Sequence, residues 1–536
     1  MPPPSRSLPP ELRLSLGLDE PDDLDSLRHR AARRLGISPS ELPDLAIRRR
    51  SIDARGGAIR FHLVLDLRPP GETRSEGPLP RDVVGERRVL IVGDGPAGLF
   101  CAYQLACAGV PCTVLDRGKK VRPRRLDLKG LQVEGRVDPE SNYCFGEGGA
   151  GTYSDGKLYT RAGKRGSVRR ILEILALHGA PPAILVEARP HIGSNKLPGV
   201  ITAMRERLEG HGVRFEFGAK MVELLTTAQG AQRRVVGVRL EDGRELGADA
   251  VILATGHSAR DVFELLGRAG VRIEPKAFAL GVRIEHPQAL IDRIQYGRHA
   301  GHPRLPSAAY ALKAQAQDRG VFSFCMCPGG WIVPASTEPE GLVVNGMSLS
   351  RRDSPHANSG LVVSIEVQDW ERHGFDGPLG GVDLQRAIEQ AAASAGGGRL
   401  RAPATRVTDF AAGRASSTTP KSSYRPGLLG GDLAEVLDVT GLRISRRLRE
   451  ALPLFERQMR GYLSEEAVMV GVESRTSAPV RIPRDPGSLE SPSCAGLYPA
   501  GEGAGYAGGI VSAAIDGMRI ADALIARRFG PSAGRP

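Results

Sequence analysis

Apolar residues fall first into a short stretch, Leu12 to Leu18, and then onto one helix face through Leu27, Ala31, Ala32 and Leu35, closed by Gly36. Two runs that read as strands follow, Ile47 to Ile52 and Ile59 to Leu67, around the turn Ala54-Arg55-Gly56-Gly57. That order is β-α-β-β. The stretch from Pro69 to Pro80 is rich in proline, glycine and charge and reads as a linker. From Val83 the pattern becomes strand, glycine turn, helix, strand, the mark of a parallel α/β sheet. A long middle section interrupts it, with loops expected at Ala395–Arg399 and Gly413–Gly427, and the last 40 residues return to strand, turn and helix.

The clearest single feature is Arg88-Val89-Leu90-Ile91-Val92-Gly93-Asp94-Gly95-Pro96-Ala97-Gly98. Four apolar residues make a buried strand, G-x-G-x-x-G follows, a helix runs from Leu99 to Ala108, and Cys112 to Leu115 form the next strand before Asp116. Gly93 makes the tight turn, Gly95 lets the backbone approach a pyrophosphate, and Gly98 allows helix to pack on strand. The helix start offers free N–H groups and partial positive charge to phosphates. Asp116 is placed to accept from the adenosine ribose. A second G-x-G-x-x-G, Gly146 to Gly151, has neither a strand before it nor a helix after it and reads as a flexible glycine loop.

Two further segments choose FAD over NAD as the dinucleotide. Arg234 to Leu240, the turn Asp242-Gly243 and Ala250 to Leu253 form a meander that ends in Ala254-Thr255-Gly256. Gly496 to Gly501 is a late strand ending in the acid Glu502, followed by Gly503 to Gly509 and a helix. Together these resemble the two-dinucleotide-binding-domain flavoproteins of glutathione-reductase type. More narrowly, Phe145 to Leu158, Ser323 to Gly330 and Gly501 to Gly509 are similar to a largely uncharacterised family of bacterial FAD-dependent dehydrogenases, a resemblance that spans nearly the whole chain.

The resemblance implies a Rossmann-like FAD-binding domain, a central parallel sheet plus β-meander, with an inserted α+β substrate or cap domain and the small N-terminal β-α-β-β module: an α/β protein. The expected boundaries are 1–82 for module and linker, 83–269 and 481–536 for the two parts of the FAD-binding domain, and 270–480 for the cap. It also implies roles. Gly93, Asp94, Gly95, Pro96, Ala97 and Gly98 would carry the phosphates, with Asp116 and Arg117 beside the ribose and the backbone of Met221 at the adenine. Gly149 and Thr152 would lie against the pyrophosphate and isoalloxazine, with Thr255 and Gly256 nearby. Gly501 and Glu502 would meet the ribityl chain, and the turn Gly508-Gly509-Ile510 would aim its helix start at the flavin pyrimidine. Two residues depart from the superfamily: Asp116 stands where Glu is usual, and Asp94 where a small neutral residue is commoner, a carboxylate that repels phosphate unless it points away.

Composition narrows the chemistry. The 536 residues carry a net charge of +12, with basic clusters at Arg48–Arg50, Lys119–Arg125 and Lys164–Arg170. Aromatics are only 5%, and no basic stretch is interleaved with them as base stacking would need, so solvated surface is preferred to a nucleic-acid footprint. No run of 18 apolar residues occurs; Gly509 to Ala526 carries Asp516, Arg519 and Asp522 and reads as an amphipathic helix. The N-terminus shows no secretory signal, and the expectation is a cytoplasmic protein without membrane contact. Seven cysteines without C-x-x-C argue against a disulfide scaffold, a zinc knuckle or a thioredoxin-type pair. Cys101, Cys107 and Cys112 read as packing residues.

No second β-α-β fingerprint follows Gly98, so NADH or NADPH is expected only as a transient electron donor. Hydride would pass between flavin N5 and a small molecule, an acidic one if Arg475 clamps it. An ion pair of Arg475 with Glu473 or with a neighbouring strand is its equally weighted structural role. Cys325 and Cys327, at i and i+2 on a strand, face the same way and could be a redox pair or a nucleophile; small residues before a turn is the preferred alternative. Lys157 and Tyr506 are further candidates for their place in glycine-rich segments, and His191 and His257 sit near the expected flavin loops. Against the oxidoreductase stand an RNA-associated flavoprotein using the basic N-terminal module, and a flavin-binding protein without turnover.

Overall fold

The computed structural model describes residues 8–68, 77–86, 88–160, 162–229 and 232–529. The first part of the expected linker, 69–76, lies outside the described residues. At the N-terminus β1 (Glu11–Gly17), α1 (Leu24–Leu35), β2 (Asp44–Asp53) and β3 (Arg60–Arg68) build a three-stranded antiparallel sheet in the order β1-β3-β2. Asp23 caps α1 by accepting from the Ser26 amide at 2.9 Å, and Gly36 ends it at φ 69°, a left-handed position suited to glycine. This sheet docks on the rest of the chain. Arg304 stacks on Phe61 at 4.9 Å and donates to the Leu18 carbonyl at 2.8 Å, and the Arg50 amide donates to the Val186 carbonyl at 2.7 Å.

The central sheet is parallel. It uses β4 (Val89–Val92), β5 (Cys112–Asp116), β6 (Arg214–Phe217) and, after the meander β7 (Met221–Gln229), β8 (Gln232–Leu240) and β9 (Glu245–Gly247), β10 (Ala250–Leu253). Its order is Leu497–Pro499, β10, β4, β5, β6. β4 and β10 are wholly buried apolar tetrads, as a strand covered on both faces must be. One cover is α2 (Pro96–Cys107) packed against the C-terminal helix Ile510–Leu524; a side chain on Gly517 would be forced into the Ala97 carbonyl, with its carbon at 2.8 Å.

The middle section forms a seven-stranded sheet, ordered Lys313–Ala316, Arg319–Cys327, His356–Ile365, Phe278–Pro287, Val468–Glu473, Ala402–Arg406, Leu428–Gly430. All neighbours are antiparallel except the last pair. Helices Gly380–Ala395 and Ile444–Gln458 complete its core around Trp370, Leu448 and Phe455. Among the described residues no helix is long and apolar enough to cross a membrane.

Candidate functional site

In a parallel sheet the strands all end on one edge, and there β4, β5, β10 and Leu497–Pro499 deliver Gly93, Asp116, Ala254-Thr255-Gly256 and Gly501-Glu502. Over that edge lies a cleft of about 1470 Å³, its open mouth included. Gly93, Gly95, Pro96, Ala97, Asp116, Arg117, Gly149, Met221, Thr255, Gly256, Glu502, Gly509 and Ile510 line it, as do Lys157, Cys325, Arg475 and His257. Both α2 and the C-terminal helix begin at this cleft, capped by Gly95 and Gly509 with no side chain on their free amides. Gly95 is the point of closest approach: a Cβ there would meet nothing nearer than the Gly149 Cα at 3.9 Å. Helix starts without a side-chain cap on this cleft suit an anionic ligand, and FAD carries a pyrophosphate.

Asp94 does not face this cleft. Its carboxyl is buried and accepts from the Gly148 amide at 3.3 Å, while its own amide donates to Asp116 Oδ2 at 3.0 Å. Burial, with Asp116 and Glu147 close by, pushes the Asp94 carboxyl well above the ordinary range and so favours its neutral form, and the group points away from the cleft. Asp116 also accepts from the Gly118 amide at 2.8 Å, which fixes the carboxylate beside the cleft. Arg117 stacks on Phe145 at 4.7 Å and pairs with Asp261.

The second glycine motif is not a flexible loop. Buried Arg124 donates to the carbonyls of Asn142, Tyr143, Glu147 and Gly149 at 2.8 to 3.0 Å. Glu147 in turn accepts from the Val121 amide and from Arg205, both at 2.7 Å. An arginine that satisfies four carbonyls at once holds Gly149 against the α2 start. Sequence reasoning missed Arg124, whose only signal was its place in a basic cluster.

Other expected residues stand behind the cleft wall. Gly98 packs on the Gly93 carbonyl and Ile91, Thr152 bonds the Glu147 carbonyl at 2.8 Å, and the Gly501 amide donates to Asp516 at 2.8 Å. The Gly508 amide lies 3.2 Å from Ser512 Oγ. Tyr506 is a correction: its ring stacks under Arg484, 3.7 Å away, and Arg481, 5.3 Å away, instead of lining the cleft. Arg475 is a second. Its guanidinium lines the cleft but grips Glu389 at 3.0 and 2.8 Å and Thr337 at 2.6 Å, which commits three of its five N–H donors to the wall. Its partner is Glu389, not Glu473, which pairs at 2.8 Å with buried Arg283.

Behind the cleft an inner pocket of about 650 Å³, its open mouth included, adjoins it at Cys144, Ala150, Ser154, His257, Cys325, Asn345 and Arg475, which line both spaces. Val333, Val343 and Val344 give it apolar walls, and Glu473 and Asn345 a polar end. Burial, with Arg475 and Arg260 nearby, brings the His257 imidazole down to about 4, so it is neutral. Burial raises Glu473 to about 7 against the pull of Arg283, and raises Glu502 to about 7 against Lys276. His191 sits aside, 3.3 Å from the Ser350 carbonyl.

Cys325 and Cys327 do point to one place, but not as on a flat strand. The register with His356–Ile365 shifts between Phe324 and Cys327, and Cys325 sits at φ 45°, a strained conformation for a side chain. The bulge turns Cys325 out into the cleft and leaves Cys327 buried. Lys157 Nζ lies 3.5 Å from one sulfur, 3.4 Å from the other and 3.3 Å from Asp155, which also bonds Arg352 at 2.8 Å.

A family described as "FAD-dependent protein, C-terminal domain-like" matches residues 277–476, "Pyridine nucleotide-disulphide oxidoreductase" matches 172–279, and a domain of unknown function matches 9–68. An uncharacterised protein of Clostridium beijerinckii is 39% identical over 96% of this chain and 97% of its own length. The tRNA uridine 5-carboxymethylaminomethyl modification enzyme of Granulibacter bethesdensis is 35% identical over 18% of this chain and 16% of its own. Among solved structures, the flavin-dependent brominase Bmp2 (a triple mutant) shares 12% identity over 82% of this chain and 79% of its own, with a TM-score of 0.35.

Proposed function

The chain belongs to the family of FAD-dependent proteins that its Clostridium beijerinckii relative shares along nearly its whole length, and from that premise we propose an oxidoreductase that moves hydride between a small molecule and the flavin. The observation that carries this reading is the junction of two spaces. A cleft of about 1470 Å³ joins, at Cys144, Ala150, His257 and Cys325, a smaller pocket with apolar walls that suits a small molecule.

Bound FAD supplies the centre that takes or gives two electrons as hydride. The chain's own residues do the rest. The α2 start and Gly95 would hold the pyrophosphate, Asp116 the ribose, and Glu502 the ribityl hydroxyls, while the start of Ile510–Leu524 would favour negative charge on the pyrimidine side. Glu473, close to neutrality in its ionisation and facing the inner pocket, holds or releases the proton that accompanies hydride. NADH or NADPH would serve as a transient electron donor.

Anaerobic addition of NADH, NADPH and a panel of small alcohols, acids and carbonyl compounds to the purified yellow protein tests this. Loss of the flavin's visible absorbance with any of them supports the reading. A flavin that dithionite bleaches but no donor or substrate does would leave a flavin-binding protein without turnover.

A further inference from the structure

The thiol cluster at the mouth of the inner pocket has no role in the scheme above. Cys325 Sγ stands where the two spaces meet, and Lys157 reaches both sulfurs. We propose that Cys325, backed by Lys157 and Cys327, is a nucleophile that adds to a conjugated carbonyl compound seated in the inner pocket. A soft, polarisable sulfur prefers the β-carbon of such a compound. Val333, Val343 and Val344 suit its carbon skeleton, and Lys157, on the cleft side and 3.5 Å from the Cys325 sulfur, supplies a proton beside the new bond.

The electrostatics agree with the geometry. The hydrogen bond from Cys327, helped by Lys157 and Arg283, outweighs burial and Asp155 and draws the Cys325 thiol well below an ordinary cysteine. The same bond and burial push Cys327 up, so that it keeps its proton. Cys327 Sγ also lies 3.3 Å from the Cys325 carbonyl and donates to it. Glu473 and Glu502 are the remaining acids that feel the Cys325 charge, and burial holds both up near 7. For Lys157, Cys325, Cys327 and Asp155 outweigh burial and keep the amine charged.

The step balances without an oxidant or reductant. The Cys325 thiolate gives its electron pair to the β-carbon and an S–C bond forms. The C=C pair moves into the conjugated system, and the carbon beside the new bond takes a proton from the Lys157 ammonium; water then reprotonates the amine. The proposal rests on the oxidoreductase reading only in placing a substrate in the inner pocket, and flavin bleaching and thiol labelling fail separately.

The test uses the full-length protein with its flavin, iodoacetamide across a pH series, cinnamaldehyde as the conjugated carbonyl probe, and peptide mass spectrometry. At about pH 6, roughly two units below an ordinary thiol, Cys325 should label at least about tenfold faster than Cys327. Lys157→Met should slow this on the order of tenfold, one pKa unit, and Lys157→Arg should restore it. Cinnamaldehyde should leave its mass on Cys325. Equal labelling of the two cysteines, labelling indifferent to Lys157→Met, or a Cys325 that takes iodoacetamide but never the aldehyde would each overturn the proposal.

Discussion

Gly95 and Gly98 stand three residues apart in one motif, yet the structure gives them opposite tasks, and an alanine at each separates them. Gly95 has φ −72° and ψ −178°, extended backbone open to any residue, and an added Cβ finds its first neighbour at 3.9 Å. Gly95→Ala should therefore leave the apoprotein as stable as before or firmer by about 0.4–1 kcal/mol, because alanine has less freedom to lose on folding. The new methyl points into the cleft, into the space a pyrophosphate needs. Losing one amide-to-phosphate hydrogen bond costs about 1.5–3 kcal/mol, a weakening of FAD binding of roughly 10- to 150-fold. At Gly98 a Cβ would instead be driven into the Gly93 carbonyl oxygen, with the carbonyl carbon and Ile91 Cγ2 each at 3.1 Å. Gly98→Ala should lower apoprotein stability by about 1–3 kcal/mol through overpacking. Urea unfolding of both apoproteins and fluorescence titration with FAD give the two quantities. A Gly95→Ala protein that binds FAD as tightly as the parent would refute the placement of the phosphates over α2; one that unfolds early would refute the account of open space.

Two further outcomes follow from buried charge. Glu389→Ala strands the Arg475 and Arg260 guanidiniums, which it now pairs at 2.8 Å each, and should destabilise the fold by about 3–5 kcal/mol in denaturant unfolding; a loss under about 1 kcal/mol would show that the pairs are not what holds the wall. Glu502 titrates near 7 when folded, above its ordinary value of 4.5, so the folded apoprotein holds that proton more tightly and loses stability as pH rises through that window. Glu502→Gln should remove on the order of 3 kcal/mol of that pH dependence, read as the difference between unfolding at about pH 5 and about pH 8, and parallel curves for variant and parent would count against it.

Much of the dinucleotide half was legible because its rules are local. A buried apolar tetrad, glycines at fixed spacing and an acid at the next strand end need only a few neighbouring residues to declare themselves, and β4, α2 and β5 follow them. The N-terminal β1, α1, β2 and β3 were equally plain, since period and caps mark each element. The site's charges were not legible. Arg475 reads the same in sequence whether it is free or gripped by Glu389, 86 residues away, and only the approach of helix Gly380–Ala395 to strand Val468–Glu473 decides. Tyr506 has the right neighbours in the chain and the wrong ones in space.

Asp94 shows why such residues mislead in a particular direction. A carboxylate in a phosphate loop looks like a defect while it is assigned its ordinary charge, and the sequence offers no reason to assign another. In the fold it is buried beside Asp116 and Glu147, and burial and those neighbours raise its carboxyl well above the ordinary range, which favours the protonated form. A neutral carboxyl can then do what a small neutral residue cannot. It takes the Gly148 amide and ties the second glycine loop to the first, the loop that Arg124 holds from its other side. The departure from the usual residue and the rigid glycine loop are thus one arrangement. The charge that seemed to oppose the cofactor is absent because the loop that lines the cofactor's cleft has closed over it.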